Sequence, residues 1–519
     1  MRRSGLLIAS ATVFAFSALP PVAAQAPPGF DAYVASVMKA FEVPGLSVAI
    51  VRNGQVLLAR GYGVRTLGDP APVDAETLFG IASNTKIFTA TALGMLVEEG
   101  KIEWDAPVVR YLPAFALSDP FVTRELTVRD LLVHRSGLGL GAGDLLWWPP
   151  STYNRKEISQ RLRYIPLETS FRSAYAYDNV LYLVAGELIE AMSGMSWEDF
   201  VSSRILKPLG MNGANVKHSA AGHGGNVATT HAPVDGKVRV IAPFASDNTN
   251  PAGGINAGAN DMAKWIIAQL DSGRTTSGRL WSQRTARNIW SIVTPIGIGA
   301  PPPEFAATRA SFNGYGLGVG IRDYRGQKLL THTGGLPGYL SRVAMLPDSK
   351  AGVAVLTNAE SGTAFDAIVN QVLDWFLGAS DIDWLGGFRK LQAQADSALK
   401  AEEAQSVASR NTASRPSLPL DKYAGTYRDS WYGDVTIANE GGKLVMRFTR
   451  SPQLVGDMEH WQYDSFLVKW RDRELRADAF VTFSLTPQGT IDQAKMLPAS
   501  SSVDFSYDFQ DLLLKPVTR

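Results

Sequence analysis

Ser83 and Lys86, in the stretch GIASNTKIF (residues 80–88), are a hydroxyl and an amine three positions apart. On a helix that spacing puts both side chains on one face, about 5–6 Å between Cβ atoms, so the amine can reach the hydroxyl. A serine is a weak nucleophile until a base takes its proton, and burial lowers a lysine pKa toward that task. The pair could therefore carry acyl transfer through an ester on Ser83. Spacing alone decides little, because Ser-x-x-Lys is expected roughly once or twice by chance in a chain this long. The same spacing occurs at Ser397 and Lys400, in the polar, alanine-rich ADSALKAEEA. There a lysine stays solvated, whereas Ser83 and Lys86 open a wholly apolar segment. The plain alternative for GIASNTKIF is a capping serine followed by a chance lysine.

Two further groups of residues raise the interest of the pair. SAYAYDNVLY holds Tyr177-Asp178-Asn179, the only Tyr-x-Asn of the chain. LLTHTGGLPGY holds His332-Thr333-Gly334, followed by Gly335, at the edge of an expected strand. Taken alone, Tyr177 could equally be a core aromatic at a helix start.

The elements that must position these residues are legible from periodicity. GLSVAIVRNGQVLLARGYGV (45–64) predicts a hairpin turning at Asn53-Gly54. Residues 83–99 predict a helix closed by Gly100, with Ile87, Phe88, Ala90, Ala92, Leu93, Met95, Leu96 and Val97 leaving no polar stripe, so that it should be buried. ELTVRDLLVHRSGL (125–138) and NVLYLVAGELIEAMSG (179–194) predict two more helices ending near glycine. Residues 313–358 predict three strands, GYGLGVGIR, SRVAMLP and GVAVLTN, with THTGG between the first two. KLQAQADSALKAEEAQSVASRN then predicts a polar helix, and TASRPSLPL a linker. From about Tyr423 onward short strands and turns dominate, with hairpins in VTIANEGGKLVMRF and FVTFSLTPQGTIDQAKML, which predicts an all-β domain, sandwich or small barrel.

The order Ser-x-x-Lys, Tyr-x-Asn, His-Thr-Gly resembles the serine β-lactamase and penicillin-binding-protein superfamily. The likeness is greatest to the branch that holds class C β-lactamases, D-alanyl-D-alanine carboxypeptidases, D-aminopeptidases and esterases. LTVRDLLVHRSGL, ILKPLGM, PAGGINAGANDMAKW and YGLGVGI carry that branch's wording between the motifs. The resemblance spans about residues 30–375, and the tail from about 420 resembles the lipocalin-like domain that often follows this catalytic domain. It implies an α+β fold: an antiparallel sheet flanked by helices, an all-helical subdomain, and then the small β domain. The domain limits expected are 1–24 for a signal peptide, 25–385 for the hydrolase, 386–418 for a helical connector and linker, and 419–519 for the β domain. The implied roles are Ser83 as nucleophile, Lys86 as proton acceptor or relay, and Tyr177 as general base and acid with a phenol pKa lowered by Lys86. Asn179 would hold Lys86 and the substrate amide. The N–H groups of Ser83 and Gly335 would form an oxyanion hole. His332, Thr333 and Gly334 would line the site opposite Tyr177 and help receive a carboxylate or polar group.

His332 departs from the lactamase pattern, which has lysine there. A histidine is mostly neutral at pH 7, so the permanent cation that would hold a penicillin carboxylate is missing, and a dedicated β-lactamase is disfavoured. The expected activity is an acyl-enzyme hydrolase cleaving amide bonds of short peptides, D-residue or non-ribosomal ones included. A carboxylesterase and a non-turnover penicillin-binding sensor are the alternatives. Two loops could set substrate choice: GLGAGDLLWWPPSTYN, with Trp147 and Trp148 as a pocket wall or as packing on its own domain, and PIGIGAPPPEFAATRASF (295–312). His134 is expected to be structural, bonding a helix end. His218 and His223 lie in a Gly/Ala loop; no histidine shows ligand spacing, so no metal and no cofactor are expected.

Apolar residues are 45% and charged residues 19% of 519, which argues against a mainly disordered chain and, as a prior, for two to four domains. A net charge of +1 without charge runs gives no nucleic-acid footprint. Arg2-Arg3, an apolar stretch to Leu19 and Val22-Ala23-Ala24 read as a secretory signal cleaved after Ala24, too short to span a bilayer. The mature chain should then be periplasmic, with no membrane span and a small-molecule or short-peptide substrate as its partner. The sequence is silent on oligomeric state. With no cysteine the chain can form neither a disulfide nor a thiolate site.

Overall fold

A computed structural model describes residues 26–220, 225–275 and 278–517. The expected signal peptide and His223 lie outside the described residues.

The catalytic unit is built on an eight-stranded antiparallel sheet. Its strands are β1 (Gly45–Arg52), β2 (Gln55–Gly63), β3 (Thr294–Pro295), β4 (Asn313–Tyr315), β5 (Gly320–Tyr324), β6 (Gln327–Leu336), β7 (Tyr339–Leu346) and β8 (Ala351–Thr357). They lie in the order β2-β1-β8-β7-β6-β5-β4-β3. The first hairpin turns at Asn53 and Gly54, with φ of 52° and 75°, the paired left-handed conformations that an Asn-Gly turn supplies. Both faces of β1 are buried. Leu46, Val48 and Ile50 join one apolar cluster, and Ala49 and Val51 the other, as period-two side chains must in a sheet covered on both sides.

The covers are helices: α1 (Phe30–Ala40), α2 (Lys86–Glu98), α3 (Val180–Ser193), α4 (Ala259–Leu270) and α5 (Gly362–Leu377), followed by the long α6 (Trp384–Ala408). α1 and α5 share the cluster of Leu46, whereas α2 and α4 share that of Val51. α2 is buried from Lys86 to Leu96, as its missing polar stripe predicts. Phe88 stacks on Trp265 of α4, with centroids 3.6 Å apart.

Two expectations are corrected. Residues 125–138 do not form a helix, only a short turn at Arg129–Leu132. The buried Asp130 carboxylate accepts from the Thr127 N–H and hydroxyl, and His134 takes a left-handed backbone with φ 56°. Both close the segment before helical bonds can propagate. Residues 313–358 form five strands rather than three: GYGLGVGIR breaks into β4 and β5, and THTGG is the end of its own strand, β6. Gly318 at φ 75° makes the break.

The C-terminal strands β9 (Gly425–Asp429), β10 (Gly433–Glu440), β11 (Lys443–Phe448), β12 (Val455–Gln462), β13 (Ser465–Trp470), β14 (Ala479–Leu485), β15 (Ile491–Pro498) and β16 (Lys515–Pro516) form a nearly closed antiparallel barrel. Leu514 bridges to Ala494 of β15 while β16 pairs with β9, which joins the two edges. Both expected hairpins are present, β10–β11 and β14–β15. The barrel is bound to the catalytic unit by polar contacts. Arg476 pairs with Glu360 through two bonds of 2.6 and 2.7 Å. Arg161 donates to the Trp431 carbonyl at 2.8 Å, and Tyr153 donates to that of Tyr432. No helix among the described residues is long and apolar enough to cross a membrane.

Candidate active site

Ser83 sits on a tight 3-10 turn, Ala82–Thr85, that runs directly into α2. Its hydroxyl caps no helix. Instead it is 3.0 Å from the Lys86 amine. The residue before it, Ala82, is held at φ 48° and is almost wholly buried, a strained backbone of the kind that accumulates at functional sites. β6 presses on this turn from above. A β-carbon on Gly334 would lie 2.2 Å from the Ile81 carbonyl oxygen and 3.0 Å from the Ser83 nitrogen, so only glycine lets the strand come so close. The next residue, Gly335, lines the same cleft as Ser83.

Lys86 is fully buried. Besides Ser83, its amine meets Asn179 Oδ1 at 2.7 Å and the Ala252 carbonyl at 3.1 Å. The orientation of Asn179 is fixed by its own amide, which donates to the Asp144 carboxylate at 2.8 Å. Two fixed acceptors thus take two N–H groups of Lys86. For a neutral amine this directs the lone pair at the Ser83 hydroxyl, the geometry of a general base. Burial lowers the lysine pKa to about 7, against the charges of Asp144 and Asp178, which raise it. Burial likewise raises Asp144 to about 7, opposed by bonds from Asn179, Trp147 and Ser506.

Tyr177 faces this pair, with the Lys86 nitrogen 4.9 Å from its ring centroid. The expectation of a lowered phenol pKa is corrected. The amine lies over the ring face, and burial raises the phenol well above its ordinary value, with Ser83 as the main opposing influence. Tyr177 is therefore a neutral phenol; its buried hydroxyl lies near enough to Ser83 to be influenced by it, but meets no partner in well-aligned hydrogen-bond geometry among the described residues. His134 packs beneath it, 4.3 Å between ring centroids, and its Nδ1 accepts the Asp178 N–H at 3.1 Å. As expected, it is structural and bonds a helix end: Asp178, whose carboxylate accepts the Leu181 N–H, lies just before the start of α3.

His332 lies across the cleft, 6.2 Å from Tyr177 between ring centroids. Its Nδ1 lies 2.5 Å from the Thr333 carbonyl, which can only accept, so Nδ1 carries the hydrogen. Nε2 then accepts from the Tyr315 hydroxyl at 2.7 Å. Burial lowers the imidazole pKa to about 3. Both nitrogens are used and the ring is neutral, so of the carboxylate or polar group expected at His332, a carboxylate is the less suited. The cleft's cation is Arg342, opposite Thr333 on β7 and ion-paired with Asp366.

Trp147 and Trp148 are not exposed on their loop: both are buried, yet both line the cleft. Trp147 donates its indole N–H to Asp144 at 2.9 Å, and Trp148 stacks on Phe244. The cavity around Ser83 measures about 560 Å³ and includes Ile296 of the second loop. A second cavity of about 320 Å³ shares Trp148, Gly335 and Asp504 with it.

The family profile described as Beta-lactamase matches residues 30–374, more than half of the chain. The chain belongs to this family. It is a serine hydrolase of the β-lactamase and penicillin-binding-protein type. Residues 409–516 match a second profile, Domain of unknown function (DUF3471). The chain is 29% identical over 450 residues to Unguisins hydrolase ungD of Aspergillus violaceofuscus, covering 81% of this chain and 78% of that one. Its fold matches that of the octameric penicillin-binding protein homologue from Pyrococcus abyssi, with TM-score 0.59 and 23% identity, across 93% of this chain and 98% of the other. A D-stereospecific amidohydrolase from Streptomyces sp. matches with TM-score 0.51 and 23% identity, over 67% of this chain and 99% of that chain.

Sequence reasoning missed Asp144, Tyr315, Arg342 and the barrel's contribution to the cleft. Asp144 had one signal, as the only acid in the apolar loop GLGAGDLLWW. Tyr315 and Arg342 reach the site through strand pairing, which no local pattern reveals.

Proposed function

We propose that this protein cleaves amide bonds of short peptides through an acyl-enzyme on Ser83. The observation that carries the reading is the amine of Lys86, held by two acceptors with its third direction toward Ser83. Lys86 takes the hydroxyl proton as Ser83 Oγ bonds the substrate carbonyl carbon. The oxyanion meets the N–H groups of Ser83 and Gly335. The amine leaves with a proton relayed through Tyr177, and a water then hydrolyses the ester by the reverse route, freeing the acid and Ser83. A neutral phenol suits amides, because an amine leaving group needs a proton and an aryloxide does not. Peptides with D-residues or of non-ribosomal origin remain within this reading, which gains support from a 29% identical relative named as a hydrolase of unguisins.

The neutral His332 and the ion-paired Arg342 favour substrates without a carboxylate at the scissile end, and so also support a carboxylesterase as second reading. The leader of basic, apolar and small residues supports export to the periplasm. The deciding experiment is labelling with a fluorophosphonate probe alongside a panel of aminoacyl amides, peptides, p-nitrophenyl esters and nitrocefin. Labelling is expected in the wild type and absent in Ser83→Ala. Labelling that survives that substitution would sink the assignment.

A further inference from the structure

The barrel reaches the catalytic cleft through one loop, between β15 and β16. Asp508 anchors it: its carboxylate accepts the Gly143 N–H at 2.7 Å and the Leu145 N–H at 3.0 Å, on either side of Asp144. Three residues earlier, Phe505 lines the cavity that holds Ser83. One side of its ring is fixed. It meets the Tyr177 ring edge-on at 6.2 Å, and a β-carbon on Gly141 would lie 2.8 Å from it. Even so, 41% of Phe505 is exposed. A ring needed only as an anchor would be buried, and the two backbone N–H bonds to Asp508 already hold the loop. An aromatic pinned on one side and open to the nucleophile's cavity on the other is an apolar wall waiting to be covered. Ile296 and Tyr175 line the same cavity.

We propose that Phe505 is a specificity residue, supplied by the barrel, that forms the wall of a subsite for an apolar, preferably aromatic, side chain beside the scissile bond. Substrate binding covers the ring and removes apolar surface from water on both partners, and a contact of this size changes selectivity about tenfold. The proposal rests on Ser83 being the acylated residue.

The test uses the full-length protein and two ester series, one with a phenyl group in the acyl half and one with it in the alcohol half, each against its methyl counterpart. Wild type should prefer the phenyl member of one series. In Phe505→Ala that ratio of kcat/KM should fall about tenfold, mainly through KM, and Phe505→Leu should keep most of it. Fluorophosphonate labelling of Ser83 is followed in every variant and reports a folded site. A ratio unchanged in Phe505→Ala with labelling intact, or no preference in the wild type, overturns the role of Phe505. If Phe505→Ala loses its labelling, the decision passes to Phe505→Gln, which keeps bulk but removes the apolar face, and an unchanged ratio there with labelling intact overturns the role. Loss of labelling in the wild type would instead overturn the acyl-enzyme on which the proposal rests.

Discussion

At the scale of single residues, the site divides its proton work between two groups whose burial acts in opposite senses. Burial penalises the charged form of each, so it lowers the Lys86 ammonium pKa to about 7 and raises the Tyr177 phenol. In the proposed reaction this makes Lys86 the base at neutral pH and Tyr177 the donor. Because the neutral amine is the active form, kcat/KM should rise as pH climbs through about 7, about tenfold per pH unit below it, and level off above. A flat profile between pH 5 and 8 would contradict this role. The charge of Asp144 raises the Lys86 pKa, so Asp144→Asn should move the acid limb to lower pH. It should also cut kcat, by up to about 100-fold, by disturbing Asn179. An acid limb that stays in place would show that Asp144 does not couple to the base. Tyr177→Phe should slow an amide about 10²- to 10⁴-fold and a p-nitrophenyl ester far less, and equal losses on both would count against the phenol as donor.

At the scale of elements, the position of Ser83, the proposed nucleophile, depends on two backbones approaching closely. The turn Ala82–Thr85 carries Ser83 at the mouth of a buried helix, and β6 lies against it at Gly334. Gly334→Ala would force a β-carbon to within 2.2 Å of the Ile81 carbonyl oxygen and 2.6 Å of Ser341 Oγ. Strand or turn must then shift, at a cost of about 1–3 kcal/mol. Thermal unfolding should show the lower stability, and probe labelling of Ser83 should slow in the same variant. Wild-type behaviour in both would mean that the approach is not required. Asn84 belongs to this contact too, donating to Ser341 Oγ at 2.8 Å.

At the scale of the whole molecule, the barrel completes the catalytic cleft. A chain of contacts runs from Asp508 through the backbone of Gly143 and Leu145 to Asp144, then to Asn179, Lys86 and Ser83. Asp508→Ala leaves two buried N–H groups without their acceptor, a loss of about 1–3 kcal/mol. Because those groups flank Asp144, kcat should fall more than KM rises in steady-state assays. A variant destabilised to that extent but catalytically unchanged would confine Asp508 to gluing the domains together.

Much of this protein was legible in its sequence because the determining signals are local. The Asn-Gly turn, the unbroken apolar face of α2, the glycine after α3 and the Gly-Gly hairpin of the barrel each follow from the preferences of a few adjacent residues. The pairing of Ser83 with Lys86 is also local, being one helical spacing. The helix expected at 125–138 is not formed, because the buried Asp130 carboxylate is taken by Thr127 and by the distant Arg172, which hold the segment as a turn. The state of the chemical groups was decided elsewhere. Whether a phenol is raised or lowered depends on how deeply it is buried and on where the lysine charge lies relative to its oxygen. The neutrality of His332 depends on Tyr315 and on burial together. The residues within reach of Ser83 from β7 and from the barrel, Arg342 and Phe505, come from 259 and 422 positions along the chain. Motif order by itself determined the family to expect and which serine and lysine to look at, Ser83 and Lys86. Only tertiary packing, by removing water and bringing distant strands together, decided that lysine's pKa and the walls a substrate must meet.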